Sequence, residues 1–116
     1  IGIMKTNKYC FALDLIDDQE AIAQYKEYHK KVWPEIIKSI KDAGIIALEI
    51  YLVANRLFMI MEMETKFSLQ NKQRQDADNP VVQEWESLMW KYQQALPSAA
   101  PGEKWMLMEN IFSLQR

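Results

Sequence analysis

Two β-rich segments, Ile45 to Val53 and Leu57 to Glu64, are separated only by Ala54-Asn55-Arg56. A connection of that length is a hairpin, so the two strands must lie side by side and antiparallel. That requirement excludes an all-helical chain and a wholly parallel sheet, and every other segment has to be fitted around it.

Upstream, Tyr9, Phe11, Leu13 and Leu15 alternate with Cys10, Ala12 and Asp14, a period of two that reads as a strand with one buried face. Asp17-Asp18 then offer a helix N-cap. Ile22, Tyr25, His29, Val32, Ile36 and Ile40 recur at helical spacing until Gly44 closes the segment. Pro34 lacks the donor that a helix interior needs and disfavours helix at Trp33, so the helix is predicted to kink or restart there. Downstream of the hairpin, weak helical character around Phe67 to Gln73 leads into "DADNP", where Asn79 caps and Pro80 opens a helix predicted to reach about Ala95. The stripe of that helix is Val81, Val82, Trp85, Leu88, Met89, Tyr92 and Leu96. "PSAAPG" interrupts the chain, and Trp105 to Leu114 alternates as a last strand.

The order is β-α-β-β-α-β with one extra short helix, an α+β pattern known as the ferredoxin-like or α/β plait. Residues 4–116 are expected to form one domain, with Ile1-Gly2-Ile3 ahead of it, since 116 residues suffice for a single core. Four antiparallel strands carry helices on one face only. Met59, Met61 and Met63 alternate with Phe58 and Ile60, so both faces of that strand are apolar. A homodimer in which the open sheet faces cover each other is therefore expected.

Composition narrows the partners. Fourteen basic against sixteen acidic residues give a formal charge of −2, without the clustered Lys and Arg that a phosphate backbone demands. Nucleic acid is not an expected partner. No apolar run approaches the roughly 18 residues needed to cross a bilayer, and no secretory signal is evident, so a soluble cytoplasmic protein without a membrane partner is expected. The single Cys10 fits that compartment and reads as a small buried thiol in its strand. One histidine with no cysteine partner makes no metal set, and three isolated glycines make no phosphate loop.

The one histidine is therefore the residue to explain. His29 follows Tyr25 by one helical turn, which sets both on one face directed at the sheet. As a packed core residue it needs no further account. As a functional one, it brings an imidazole, the side-chain group best suited to giving and taking a proton near neutral pH. Trp90 lies off the stripe of its helix and reads either as a contact with the preceding helix or a dimer partner, or as a ligand-stacking face. Trp85, Tyr92 and the methionines read as core. What the residues support is proton transfer on a small neutral molecule in an apolar pocket with aromatic walls.

"YKEYHKKVWPEI", then Gly44, a strand containing "IYL", "LFMIMEME" and later "WKYQQALP" resemble, in this order and over nearly the whole chain, the L-rhamnose mutarotase family. The specific part is Y-x-x-x-H-x-x-x-W-P-E. The resemblance implies a dimeric plait that interconverts the α and β anomers of a 6-deoxy-hexose without a cofactor. It further implies His29 as the catalytic acid/base and Tyr25 as a substrate-binding residue. Trp90 matches the second member of a sugar-contacting tryptophan pair whose first position is Met89 here. A further substrate-binding tyrosine of the family falls at Leu48. L-Rhamnose is the substrate expected from the family, and L-fucose is its competitor because of those two departures. Two other uses of the same fold are compatible with the sequence: a dimeric ligand-binding or regulatory module in which His29 merely packs, and a cofactor-free or haem-handling monooxygenase.

Overall fold

The structure, a computed structural model, describes residues 6–114, so the expected domain limits at 4 and 116 lie outside the described residues. The elements run β1 (Thr6–Leu15), α1 (Gln19–Lys30), α2 (Pro34–Asp42), β2 (Ile45–Val53), β3 (Arg56–Glu64), α3 (Leu69–Ala77), α4 (Pro80–Trp90), β4 (Gln93–Gln94) and β5 (Met106–Leu107). The strands lie in the order β2-β3-β1-β4, β5 also pairs with β1, and every pairing is antiparallel. This is the plait expected from the sequence.

Local chemistry sets the helix limits. Asp18 caps α1 through a 2.9 Å bond from the Ala21 amide. Trp33, ahead of Pro34, takes an extended ψ of 136°, and α2 restarts with Pro34 in its first turn. Gly44 ends α2 at a φ of 93°, where an added Cβ would sit 3.3 Å from Glu64 Oε2. Asn79 accepts from the amides of Val81 and Val82 to start α4.

Along β3 the residues Leu57, Met59, Met61 and Met63 are buried and face the helices. One core cluster joins Leu15 and Leu57 to Tyr25, Ile36, Val82, Trp85 and Met89. A second gathers Phe11, Ile45 and the three β3 methionines, with Phe67 and Leu69 packed against it. The opposite sheet face leaves Tyr51 and Val53 exposed, with Phe58 and Ile60 half-buried. Asp14, 5 % exposed, is held at the hairpin end of that face by Arg56, whose Nε and Nη2 donate to its two oxygens at 2.8 and 3.2 Å.

Three expectations need correction. The helix predicted to reach Ala95 stops at Trp90 because the amides of Lys91 and Tyr92 turn back to the carbonyls of Leu88 and Met89, which frees Gln93–Gln94 to pair with Asp14–Leu15. The strand predicted over Trp105 to Leu114 is reduced to Met106–Leu107, because β1 shares that edge between β4 and β5. Alternation in this segment is real, but within one chain Ile111, Phe112 and Leu114 find no cover and stand 77–88 % exposed. Cys10, expected to be buried, is half-buried and paired with Ile60 across β3.

The hairpin also differs in detail. Arg56 joins β3 opposite Val53, so the loop is only Ala54-Asn55, with Ala54 at a φ of 52°. A positive φ at the first loop position favours glycine. Replacement Ala54→Gly is expected to raise stability by about 0.5–1 kcal/mol in urea unfolding. A loss would mean that the backbone there is unstrained.

Candidate active site

α1 delivers Tyr25 and His29 to the same place. Its amphipathic turn buries Tyr25 to 4 % exposure in the main core cluster and leaves His29 half-buried one turn later. The two rings lie 4.4 Å apart between centroids, tilted by 36°. Trp85 also meets His29 edge-on, at 5.7 Å. The imidazole is thus in contact with two aromatic rings, which restrict its rotation.

Its hydrogen bond determines its chemistry. His29 Nδ1 lies 2.8 Å from the Tyr25 carbonyl oxygen, which can only accept. The proton of the neutral ring therefore sits on Nδ1, and Nε2 carries the lone pair. An imidazole fixed in this way is prepared to take a proton.

Beside it opens a groove of about 200 Å³. Tyr25, Lys26, His29 and Lys30 of α1 form one wall, while Ile50, Leu52 and Leu57 from the hairpin form an apolar floor. The wall has polar atoms able to meet hydroxyl groups, and the floor suits a methyl group.

Of the four expected site residues, the structure brings Tyr25 and His29 together. Met89 is 3 % exposed and packs in the core cluster that contains Tyr25, away from the groove lining. Trp90 is 37 % exposed at the end of α4, with Lys104 Nζ 5.0 Å over its ring, and does not line the groove either. Leu48 packs against the second core cluster. Sequence reasoning missed Gln93, which is 8 % exposed and donates from Nε2 to the Tyr25 hydroxyl at 3.1 Å. A helix running to about Ala95 places Gln93 in its last turn and off the apolar stripe, so nothing in the sequence singles it out.

Burial pushes the Tyr25 phenol up from 10.0 to about 12, with the Gln93 bond acting weakly in the other direction. Tyr25 therefore remains a neutral hydroxyl at any physiological pH. In the unfolded chain it ionises near 10 and in the folded one only near 12, so folding stability falls as pH rises through that window. The wild type is expected to lose about 2–3 kcal/mol more than Tyr25→Phe between pH 9.5 and 12 in urea unfolding. Equal losses would place the phenol in water.

A plait with a histidine in contact with two aromatic rings beside a small apolar groove is an arrangement suited to moving protons on a small molecule. Comparison with known proteins makes the assignment specific. Residues 8–114 match the sequence family described as L-rhamnose mutarotase. A protein of Xanthomonas campestris pv. campestris named L-fucose mutarotase is 44% identical over 113 residues, covering 96% of this chain and 90% of its own. An L-rhamnose mutarotase of Enterococcus faecalis is 29% identical over 96 residues, covering 81% of this chain and 87% of its own. The crystal structure of an L-rhamnose mutarotase from Formosa agariphila superposes with a TM-score of 0.70 at 23% identity, covering 94% of this chain and 99% of that one.

The chain belongs to the L-rhamnose mutarotase family. It is an enzyme of the carbohydrate-isomerase type, which sets aside the binding-module reading. Among the described residues, no helix is long and apolar enough to cross a membrane.

Proposed function

We propose that this enzyme interconverts the α and β anomers of L-fucose by opening and reclosing the sugar ring, with His29 as acid/base. The observation that carries the proposal is the His29 Nδ1 bond to the Tyr25 carbonyl, which leaves Nε2 as a proton acceptor beside the groove. His29 takes the proton of the anomeric hydroxyl as electrons return to form the C1 carbonyl and the bond from C1 to the ring oxygen breaks. His29, now protonated, delivers its proton to the ring oxygen, which leaves the imidazole neutral again. C1 turns, the C5 hydroxyl attacks its other face, and the protons return the way they came. As a catalyst the enzyme speeds the approach to anomeric equilibrium in both directions and does not displace it.

Ordering of the two sugars follows the relatives. The sequence alone put L-rhamnose first; the 44% identity to a protein named L-fucose mutarotase, against 29% to a rhamnose one, supports L-fucose ahead of it. Leu48 and Met89, at positions where the family's rhamnose contacts are aromatic, favour the same order. Both sugars carry a methyl at C6, and Ile50, Leu52 and Leu57 offer it an apolar floor. Met89 acts through the packing of Tyr25. Trp90 offers an indole face to the sugar from outside the groove.

The homodimer is part of the proposal. Tyr51 and Val53, 52 % and 72 % exposed on the open sheet face, and the bare apolar residues 111–114 are the surfaces it covers. Sedimentation equilibrium is expected to give twice the 13.7 kDa chain mass. A cytoplasmic setting suits the free thiol of Cys10.

Saturation-transfer NMR at the anomeric protons of L-fucose and L-rhamnose tests the reaction. Exchange accelerated chiefly for L-fucose is the expected result. Acceleration chiefly for L-rhamnose would reverse the order of substrates, and none for either would remove the reaction.

A further inference from the structure

We infer that Gln93 is a positioning residue which turns the Tyr25 hydroxyl proton into the groove, making Tyr25 a hydrogen-bond donor to an oxygen of the bound sugar. The inference rests on the mutarotase reading above and adds to it a residue that touches neither the sugar nor His29.

The argument is one of donor and acceptor inventory. An amide NH2 has no lone pair to give, so at 3.1 Å Gln93 Nε2 donates and Tyr25 Oη accepts. A phenol has one proton. With its in-plane lone pair engaged by Gln93, that proton is directed away from Gln93; Tyr25 lines the groove together with His29, and the groove is where the proton finds an acceptor once a sugar is bound. Burial holds the phenol protonated, so the donor is not lost to ionisation. A free tyrosine hydroxyl rotates between donating and accepting; this one has its direction set before the sugar arrives, and such preorganisation raises the value of the bond to the sugar.

Gln93 is itself firmly placed. It lies in β4 opposite Leu15, which is fully buried, and its own side chain is among the few buried polar groups of the described residues. A buried amide at this position invites a reason beyond filling space, since a leucine or methionine there would need no partner. The reason is the neighbour it points at. Sixty-eight residues of sequence separate Gln93 from Tyr25, and the β4 pairing brings them together.

The test reverses the bond without removing it. In Gln93→Glu the carboxylate can only accept, so Tyr25 must donate to it and its proton turns away from the sugar. Gln93→Met keeps the volume and leaves the hydroxyl free to rotate. Both are compared with wild type, alone and combined with Tyr25→Phe, by saturation-transfer NMR on L-fucose and L-rhamnose and by thermal unfolding. Gln93→Glu is expected to lower kcat/KM about tenfold or more and Gln93→Met about threefold, with each change below about twofold in the Tyr25→Phe background.

A Gln93→Glu protein at the wild-type rate would overturn the inference, because a merely structural tie survives the reversal. So would losses that persist in full when Tyr25 is already phenylalanine. If Gln93→Glu does not fold, Gln93→Met decides: a lowered melting temperature with unchanged kcat/KM would also overturn it. A wild-type protein that accelerates neither sugar would overturn the mutarotase reading itself and the role of Gln93 with it.

Discussion

His29→Ala is expected to reduce enzyme-accelerated anomer exchange by about 10²–10⁴-fold, the range typical of a lost general acid or base. Two proton movements flank ring opening, one at the anomeric hydroxyl and one at the ring oxygen. Without His29, both fall to water and to Tyr25, a weak acid held neutral by burial. Stability should change little by comparison. His29 is half-buried and is held by ring contacts with Tyr25 and Trp85 and by its Nδ1 bond to the Tyr25 carbonyl, so its removal costs about 1–2 kcal/mol in thermal unfolding. The separation of the two effects is the point of the experiment. A variant that retains the wild-type exchange rate would return His29 to a packing role, whereas a variant that loses rate and fold together would say nothing specific about its proton. Adding imidazole to the folded variant should restore part of the rate, since the groove beside the vacated position is open to small molecules of its size.

What the sequence revealed and what it concealed divide along local and non-local lines. Pro34, Asp18, Asn79 and Gly44 act on their immediate neighbours, and each helix limit they predict is found where they place it. The pairing of Tyr25 with His29 was legible for the same reason, since one helical turn fixes it. The end of α4 was not legible. Nothing between Trp90 and Ala95 forbids helix; the segment leaves it because β1 offers Gln93–Gln94 an edge, a competitor more than seventy residues away. That single event decides whether Gln93 is a surface residue of a helix or the partner of Tyr25. Met89 and Trp90 show a related limit. Consecutive residues of a helix differ by about 100° in direction, so 89 faces the core with Val82 and Trp85 while 90 turns outward. A family correspondence written along the chain treats them as a pair, but the fold separates them.

The largest stability effect should come from the other tryptophan of α4. Trp85 is 8 % exposed, and three rings meet it edge-on: Trp33 at 5.0 Å, His29 at 5.7 Å and Tyr28 at 6.4 Å. Edge-to-face pairs of this kind add to the free energy of burial itself. Trp85→Ala is expected to cost about 3–5 kcal/mol, because α4 and the α1–α2 junction cannot close over the volume it leaves. For a domain of this size that corresponds to a melting temperature lower by roughly 15 °C. Trp85→Phe keeps one ring in the same place and should lose less than half as much. Function follows through His29, whose ring loses part of its contact with the residue at 85; the exchange rate of Trp85→Phe, measured well below its melting temperature, should fall several-fold with the fold intact. Trp90→Ala is the control on the same helix. Its indole is 37 % exposed and carries a lysine ammonium rather than core side chains, so its loss should shift the melting temperature by only a few degrees, and any effect on the sugar should appear in KM. Equal losses of stability at positions 85 and 90 would contradict the packing that holds His29 in place.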